Sequence, residues 1–331
     1  MRRFLVTVFL LLTLGVLGAG AAGLWWVYQP MPMAKAPVDL SIESGTLPRG
    51  VAQAVADAGV DVDPGLLYLW FRVSGQARDI KAGSYELESG LSPHRLLKKL
   101  ARGEEALQSV TLVEGWTFRQ FRAALAKGPH LKPETHGLPD ADLMTRIGRP
   151  GQHPEGRFFP DTYTYARGSS DVAVLQRAMR AMDRRLAAAW EQRAPETAVK
   201  STEEALILAS IVEKETGKSA DRPLVSAVFN NRLRLGMRLQ TDPTVIYGMG
   251  ETFDGNLRRA DLQNDTPWNT YTREGLPPTP IAMPGKASLL AAVQPAPSKA
   301  VYFVARGDGS SQFSQTLDEH NRAVNKFQRG R

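Results

Sequence analysis

The sequence predicts an α+β protein with three parts: an N-terminal transmembrane helix, a small module of strands and helices, and a larger mixed α+β domain. Three observations support this prediction. A stretch without charged residues runs from Phe4 to Tyr28. A pattern of strand, glycine turn and helix recurs after residue 38, and longer helical and strand patterns follow after residue 110. The 331 residues, of which 43% are hydrophobic, are enough to bury a core in each of two domains.

The N-terminal residues carry the signals of a membrane anchor. A helix needs roughly 20 apolar residues to cross a bilayer, and residues 4–28 exceed that length. The stretch closes with Trp-Trp-Val-Tyr at 25–28, and such aromatic side chains favour a membrane–water interface. Two arginines precede it, so residues 1–3 are predicted to lie in the cytoplasm. The rest of the chain would then lie in the periplasm, beyond the inner membrane.

A cleaved signal peptide is the alternative to an anchor. Ala19-Gly20-Ala21 resembles the small residues of a cleavage site. The apolar run continues to Val27, past the point where a short signal core should stop, and this favours an uncleaved anchor. Residues 29–37 are then predicted to be a Pro-rich tether without a core.

Residues 38–109 are predicted to form the small module. Gly45 and Gly90 each follow a short strand pattern and precede a proline and an amphipathic helix. A similar pattern surrounds Gly115. The spacing of the three glycines is too irregular for a solenoid, so we interpret the units as part of a binding module. Chance recurrence of a common strand–turn–helix pattern remains open as the alternative.

Residues 110–331 are predicted to form the larger domain. Ser201 and Glu204 have the spacing of a capping box, which opens a helix that ends at Gly217. Residues 205–212 of this helix are apolar on nearly every side. We therefore expect the helix to be buried on most sides.

The composition excludes several classes of site. The chain has no Cys, and its five His are scattered without the spacing of a metal site, so we expect neither a metal nor a cofactor. It also lacks a serine nucleophile elbow and a phosphate-binding glycine loop. The net charge is +7, but the sequence has no basic run interleaved with aromatic residues. We therefore expect no nucleic acid partner. The kind of site that remains is one in which Asp or Glu carboxyl groups carry out the chemistry.

Glu213 is the carboxylate that stands out. On a helical wheel it extends the stripe of Leu206, Ala209 and Ser210, whereas Glu215 points elsewhere. A carboxyl group at the end of an apolar stripe is poorly solvated, so we expect a raised pKa and a protonated acid that can donate to a glycosidic oxygen. The alternative is that Glu213 only ends a helix and pairs with a surface cation.

Several sequence blocks occur in the order that is typical of one known family. They are Val113-Glu114-Gly115, Glu155-Gly156, Phe159-Pro160-Asp161, and residues 209–216, 236–248, 266–271, 275–278 and 319–321. Over about two-thirds of its length the chain thereby resembles the endolytic murein transglycosylase family (MltG, or YceG-like). The resemblance implies a LysM-like module at 38–109 and a YceG-like catalytic domain at 110–331.

The resemblance also implies a reaction and a location. Lytic transglycosylases cleave the β-1,4 bond between N-acetylmuramic acid and N-acetylglucosamine, and Glu213 matches the catalytic position. The acid protonates the leaving oxygen, and its carboxylate then deprotonates the C6 hydroxyl, which closes a 1,6-anhydro ring. The implied role is to terminate or trim nascent glycan strands at the inner membrane. The implied partners are peptidoglycan glycan strands and penicillin-binding proteins that polymerise glycan.

Two further segments are candidates for sugar binding. Gln240, Thr241 and Asp242 precede a proline after a helix end, so we predict an exposed, extended segment whose polar groups bind sugar hydroxyl and acetamido groups. Asn269 and Tyr271 are predicted to flank the same groove. An Asx turn at Asp242 and a buried, structural Tyr271 are the alternatives.

Two other functions stay open at this point. The first is a hydrolytic muramidase that uses Glu213 together with Asp242. The second is a non-catalytic protein that binds peptidoglycan through its strand–helix units.

Overall fold

The computed structural model describes residues 2–215 and 218–330 and is an α+β protein, as the sequence predicts. The chain forms two compact units. The first comprises the residues up to Gln108 together with Tyr165–Gly168, and the second comprises Ser109–Thr164 and the residues from Ser169 onward. This division lies next to the boundary predicted after residue 109. The inclusion of Tyr165–Gly168 in the first unit is not evident from the sequence.

The helices and strands are numbered in chain order. The helices are α1 (Arg2–Tyr28), α2 (Pro48–Asp57), α3 (Pro64–Val73), α4 (Pro93–Arg102), α5 (Phe118–Ala126), α6 (Asp140–Arg146), α7 (Asp171–Glu191), α8 (Thr202–Glu215), α9 (Arg222–Arg234), α10 (Asp242–Met249), α11 (Arg259–Gln263), α12 (Lys286–Val293) and α13 (Leu317–Val324). The strands are β1 (Val38–Ile42), β2 (Gly83–Leu87), β3 (Leu107–Thr111), β4 (Thr162–Ala166), β5 (Tyr302–Ala305) and β6 (Ser311–Ser314).

The first unit begins with the predicted apolar helix. Within α1, Val6–Tyr28 has a mean hydropathy of 2.0 and is long and apolar enough to cross a membrane. Its large side chains, such as Phe9 and Trp25, are exposed rather than packed in a core. The helix is therefore consistent with a single membrane anchor, and its orientation stays a prediction.

A compact core follows the apolar helix in the first unit. Strands β1 and β2 pair antiparallel, with Val38 opposite Leu87, and β1 alternates buried and exposed residues. Such alternation gives a strand one face for the core. Helices α2 and α4 both start at a proline, as predicted, and Gly45 and Gly90 take the positive φ that their turns require. The likeness of this unit to LysM stays a prediction.

One helix of the first unit was not predicted. Helix α3 starts at Pro64, and the Asp63 carboxylate caps it by accepting a hydrogen bond from the Leu66 N–H at 2.8 Å. Its residues Leu67 and Phe71 are completely buried with Tyr85 of β2. The similar strand–turn–helix pattern around Gly115 lies in the second compact unit.

Helix α8 forms the centre of the second unit. All residues from Ala205 to Val212 are buried, as the apolar sequence predicts. They pack into one hydrophobic core with residues of α7, α9 and α12. Ser210, the polar residue in this stretch, is satisfied because its hydroxyl donates to the Ile207 carbonyl and accepts from the Ile281 N–H.

The start of α8 shows half of the predicted capping box. The Ser201 hydroxyl accepts a hydrogen bond from the Glu204 N–H at 3.1 Å. The Glu204 carboxylate accepts from the Lys200 N–H instead of returning to Ser201. The predicted helix end at Gly217 lies outside the described residues.

Replacing Leu208 of α8 with alanine tests how far the second unit depends on this helix. Leu208 is completely buried in the core, so Leu208→Ala removes packed methyl groups and leaves a cavity. We expect the free energy of unfolding to fall by about 2–5 kcal/mol. Denaturant unfolding of the detergent-solubilised chain measures it, with the exposed Leu235→Ala as control. A loss no larger than that of the control would contradict a core built on α8.

Candidate active site

The Glu213 carboxylate lies at the end of α8, where three elements meet. Its side chain is 7% exposed, and Oε2 accepts a hydrogen bond from the Gly285 N–H at 2.9 Å. Oε1 lies 3.6 Å from Nη2 of Arg222, which starts α9. Gly285 is the N-cap of α12, so Glu213 also faces the positive end of that helix dipole. The side chain is therefore paired with a cation, but in a buried setting rather than in open solvent.

A loop segment places a second carboxylate beside Glu213. The N–H of Gly115 donates to the Met283 carbonyl at 2.9 Å, and the Met283 N–H donates to the Trp116 carbonyl at 2.8 Å. These two bonds hold the loop that carries Glu114. The Glu114 carboxylate lies directly against Gly285: a Cβ atom at that glycine would lie 1.9 Å from Glu114 Oε1. A side chain at position 285 would therefore displace the Glu114 carboxylate from this place.

Glu114 is electrostatically coupled to this site. Burial raises the pKa of its carboxyl group, and the neighbouring charge of Glu213 raises it further. The positive charge of Arg222 lowers the pKa of Glu114, as a smaller effect. Two carboxyl groups thus share one guanidinium, so Glu114 holds a proton more readily than an ordinary glutamate does.

Glu213 lines a cleft, and a larger chamber lies beside it. The cleft has a volume of about 470 Å³ and is lined by Glu114, Gly115, Trp116, Gln120, Glu213, Lys214 and Arg222. The chamber has a volume of about 950 Å³ and shares Gln120 and Lys214 with the cleft. Its other walls include Tyr247 and Trp268, whose rings meet edge to face at 5.6 Å. Together we call these two spaces the groove. Aromatic and charged walls of this kind suit a carbohydrate chain.

Glu155 is a buried carboxyl group in the wall of the chamber. It is 3% exposed and accepts a hydrogen bond from the N–H of Phe118, the first residue of α5, at 3.0 Å. A hydrogen bond also joins it to Tyr247 of α10. Burial raises the pKa of Glu155 to about 7. Glu155 therefore ties together two helices that line the chamber. In the sequence, Glu155 is recognisable only as an acidic residue before a glycine. That pattern does not predict that its side chain is buried.

The predicted segment Gln240-Thr241-Asp242 is neither fully exposed nor fully extended. Thr241 is buried, and its hydroxyl donates to the Glu215 carboxylate. Asp242 begins α10, since the following proline suits the first turn of a helix. Gln240 and Asp242 remain exposed, so the prediction holds for their side chains but is wrong for Thr241.

The segment pairs with the second predicted set. The Thr241 N–H donates to the Thr270 hydroxyl at 3.1 Å, and the Tyr271 hydroxyl donates to Asp242 Oδ1 at 2.6 Å. Asn269 is completely buried, and its amide donates to the Leu262 and Asn264 carbonyls among others. Asn269 thus holds the loop rather than facing a ligand.

Of these predicted residues, Thr241 and Asp242 interact with Glu215 and not with Glu213. Burial raises the pKa of Glu215, and the Asp242 charge raises it too, whereas the Thr241 hydrogen bond lowers it. None of Gln240, Thr241, Asp242, Asn269 and Tyr271 lines the cleft or the chamber described above. Within residues 2–215 and 218–330, no group of three or more acidic or histidine side chains is arranged to hold a metal ion.

The sequence and the fold are similar to those of one family of known proteins. Residues 40–326 match the model of the YceG-like family. The chain belongs to this family. It is 31% identical over 311 residues to an endolytic murein transglycosylase of Bacillus subtilis, covering 89% of this chain and 86% of that protein. It is 26% identical over 358 residues to an endolytic murein transglycosylase of Streptococcus pneumoniae, covering 92% of this chain and 62% of that protein.

A solved structure supports the same assignment. The crystal structure of a YceG-like protein from Listeria monocytogenes aligns with a TM-score of 0.55 and 28% sequence identity. The alignment covers 87% of this chain and 99% of the Listeria chain. The family resemblance seen in the sequence is thereby confirmed for this YceG-like chain.

Glu155 gives the stability of the second unit a specific pH dependence. Its pKa is about 7 in the folded protein against an ordinary 4.5, so the folded state holds this proton more tightly. The stabilising contribution of the neutral form is complete below pH 4.5 and is lost as the pH rises through about 7. Glu155→Gln cannot titrate, so we expect the free energy of unfolding of the wild type, relative to this variant, to fall by about 3 kcal/mol across that range.

Denaturant unfolding at several pH values measures this difference. The exposed Glu191→Gln on α7 is the matched control and should leave the pH profile as in the wild type. Parallel profiles for the wild type and Glu155→Gln would contradict a buried, protonated Glu155.

Proposed function

We propose that this chain is an endolytic lytic transglycosylase that cleaves the MurNAc-β-1,4-GlcNAc bond of nascent peptidoglycan and leaves 1,6-anhydro-MurNAc ends. The observation that carries the proposal is the Glu213 carboxylate, 7% exposed and held at the wall of a groove. The family supports it, because relatives over most of this chain are named endolytic murein transglycosylases. In this proposal Glu213 acts first as general acid and then as general base.

The hydrogen bond from Gly285 assigns different tasks to the two carboxyl oxygens of Glu213. A backbone N–H only donates, so Oε2 acts as an acceptor whether or not the acid is protonated. The proton is therefore carried by Oε1. Arg222 Nη2 is 3.6 Å from Oε1, which is longer than a normal hydrogen bond, so Oε1 can give its proton to a substrate oxygen in the cleft. The guanidinium then stabilises the carboxylate that remains.

Glu213 alone accounts for every proton transfer in the reaction. The bond from C1 of the muramic acid to the leaving oxygen breaks, and the leaving oxygen takes the proton of Glu213. The resulting carboxylate removes the proton of the C6 hydroxyl of the same sugar, and that oxygen bonds to C1. Because the nucleophile belongs to the substrate, a high effective molarity replaces a second catalytic carboxylate. Glu213 ends the cycle protonated again.

Glu114 and Arg222 support this cycle as positioning residues. Burial and the charge of Glu213 raise the pKa of the neighbouring Glu114, so this carboxyl group keeps a proton close to Glu213. Arg222 Nε has no hydrogen-bond partner among the described residues, although the side chain is largely buried. A substrate oxygen in the cleft would satisfy it, since buried donors are normally paired.

Hydrolysis with Asp242 receives no support from the geometry. Asp242 accepts a hydrogen bond from Tyr271 and lies with Glu215, and it lines neither part of the groove. We propose that Gln240, Asp242 and Tyr271 contact glycan beyond the groove. Thr241 and Asn269 hold the loop that carries these three side chains.

We further propose that α1 anchors the enzyme in the inner membrane. A single helix of sufficient length supports an anchor, and the two N-terminal arginines support a cytoplasmic N-terminus. The catalytic unit would then act in the periplasm on strands as glycan-polymerising penicillin-binding proteins extend them.

Glu213→Gln tests the catalytic assignment. The amide keeps the shape and can still accept the Gly285 hydrogen bond, but it has no acidic proton to donate. We expect the rate of glycan cleavage to fall by about 10²- to 10⁴-fold, as for other losses of general acid–base catalysis. Release of soluble fragments from uncrosslinked glycan measures the rate, with Glu191→Gln as control. A variant that keeps more than about a tenth of the wild-type rate would refute the assignment.

Gly285→Ala tests the packing of the two carboxylates. The new Cβ would lie 1.9 Å from Glu114 Oε1, so either Glu114 or the Gly285 backbone has to move. Since small misplacements in an active site cost up to about 10²-fold in rate, we expect a loss of cleavage of at least about 10-fold. Gly18→Ala in α1, where a Cβ meets nothing within 4 Å, is the control. An unchanged kcat would show that the contact between Glu114 and Gly285 is not required.

A further inference from the structure

Helix α7 carries a row of arginines that the proposed reaction does not use. Arg177, Arg180, Arg184 and Arg185 line a cavity of about 620 Å³. Their spacing along the sequence places them on one face of the helix. Phe159 and Tyr163 also line this cavity, which we call the arginine groove.

Two of the arginines are fixed in place by aromatic rings. The Arg177 guanidinium lies 6.0 Å from the centre of the Tyr163 ring, and that of Arg185 lies 5.3 Å from the centre of the Phe159 ring. The Tyr163 hydroxyl in turn donates to the Phe159 carbonyl at 2.7 Å, which fixes the ring. Guanidinium groups that are already ordered lose less entropy when a ligand binds.

The charge of the arginine groove is not neutralised. Among residues 2–215 and 218–330, none of the four arginines forms an ion pair within 4.0 Å. Asp161 is the acid in the lining, and its Oδ1 accepts a hydrogen bond from the Thr162 N–H at 2.7 Å. Asp183, also on α7, pairs with Arg149 at 2.6 Å. The groove therefore presents an excess of positive charge to an anionic ligand.

We propose that the arginine groove binds the carboxylate groups of the peptide stems that peptidoglycan glycan carries. The inference rests on the proposed function for the identity of the polymer. Planar guanidinium groups match carboxylates in geometry and can bind them through two parallel hydrogen bonds. Stems with several carboxylates fit a groove with several guanidinium groups.

The surroundings of the groove favour a soluble anionic chain over a lipid surface. Peripheral membrane sites combine basic residues with exposed large apolar side chains that insert between lipids. Among the described residues, none that lines the arginine groove is an exposed large apolar side chain. A water-soluble peptide stem thus matches both the charge and the polarity of this surface.

Binding measured with a cleavage-deficient protein tests the proposal. The full chain with Glu213→Gln is titrated by calorimetry with a disaccharide–peptide fragment of peptidoglycan. Adding Arg180→Gln and Arg184→Gln removes two exposed charges that contact neither aromatic ring. We expect the affinity to fall by at least about 10-fold and the binding of the peptide-free disaccharide to stay the same. Lys299→Gln with Arg259→Gln removes equal charge elsewhere and should change neither affinity.

The other outcomes overturn the proposal. An unchanged affinity in the Arg180 and Arg184 variant would do so, as would equal binding of the disaccharide with and without its peptide. These measurements do not depend on cleavage, so failure of the arginine groove is distinguishable from failure of Glu213 as the catalytic acid.

Discussion

The hydrogen bond from the Gly285 amide to Glu213 joins the start of α12 to the end of α8. The apolar sequence of α8 forces that helix into the core, so its last turn brings a carboxylate to the edge of a region with little water. Helix α12 packs on α8, and Gly285 is the N-cap residue of α12. Because glycine has no side chain, Glu114 can approach Gly285 closely, and Arg222 approaches Glu213 from the start of α9. Among these three charged groups, Glu114 has its pKa raised by burial and by the charge of Glu213.

The sequence predicts the acid of the site but not its surroundings. Glu213 stands out because an apolar stripe of helical period ends on it, and this pattern is local. Glu114, Arg222 and Gly285 lie far from one another in the sequence, and only the packing of α8, α9 and α12 brings them together. Neither helical period nor propensity contains that information, although the glycine at a helix start is a weak signal.

Local patterns also explain which parts of the fold were predicted. Prolines at helix starts and glycines in turns located α2 and α4 correctly. The same signal, Pro243 after Asp242, indicates the start of α10, but the polar residues before it favoured an extended segment. Thr241 is buried because a distant loop covers it and Glu215 accepts its hydroxyl hydrogen. Tertiary contacts of this kind override local polarity.

Cleavage of defined, uncrosslinked glycan in water enriched in oxygen-18 tests the central claim most directly. If Glu213 passes its proton to the leaving sugar and the C6 hydroxyl then closes the ring, no solvent oxygen enters the product. Mass spectrometry should show anhydro ends that are one water lighter than hydrolysed ends and that carry no oxygen-18. Reducing ends labelled with oxygen-18 would show that water is the nucleophile and would contradict the account.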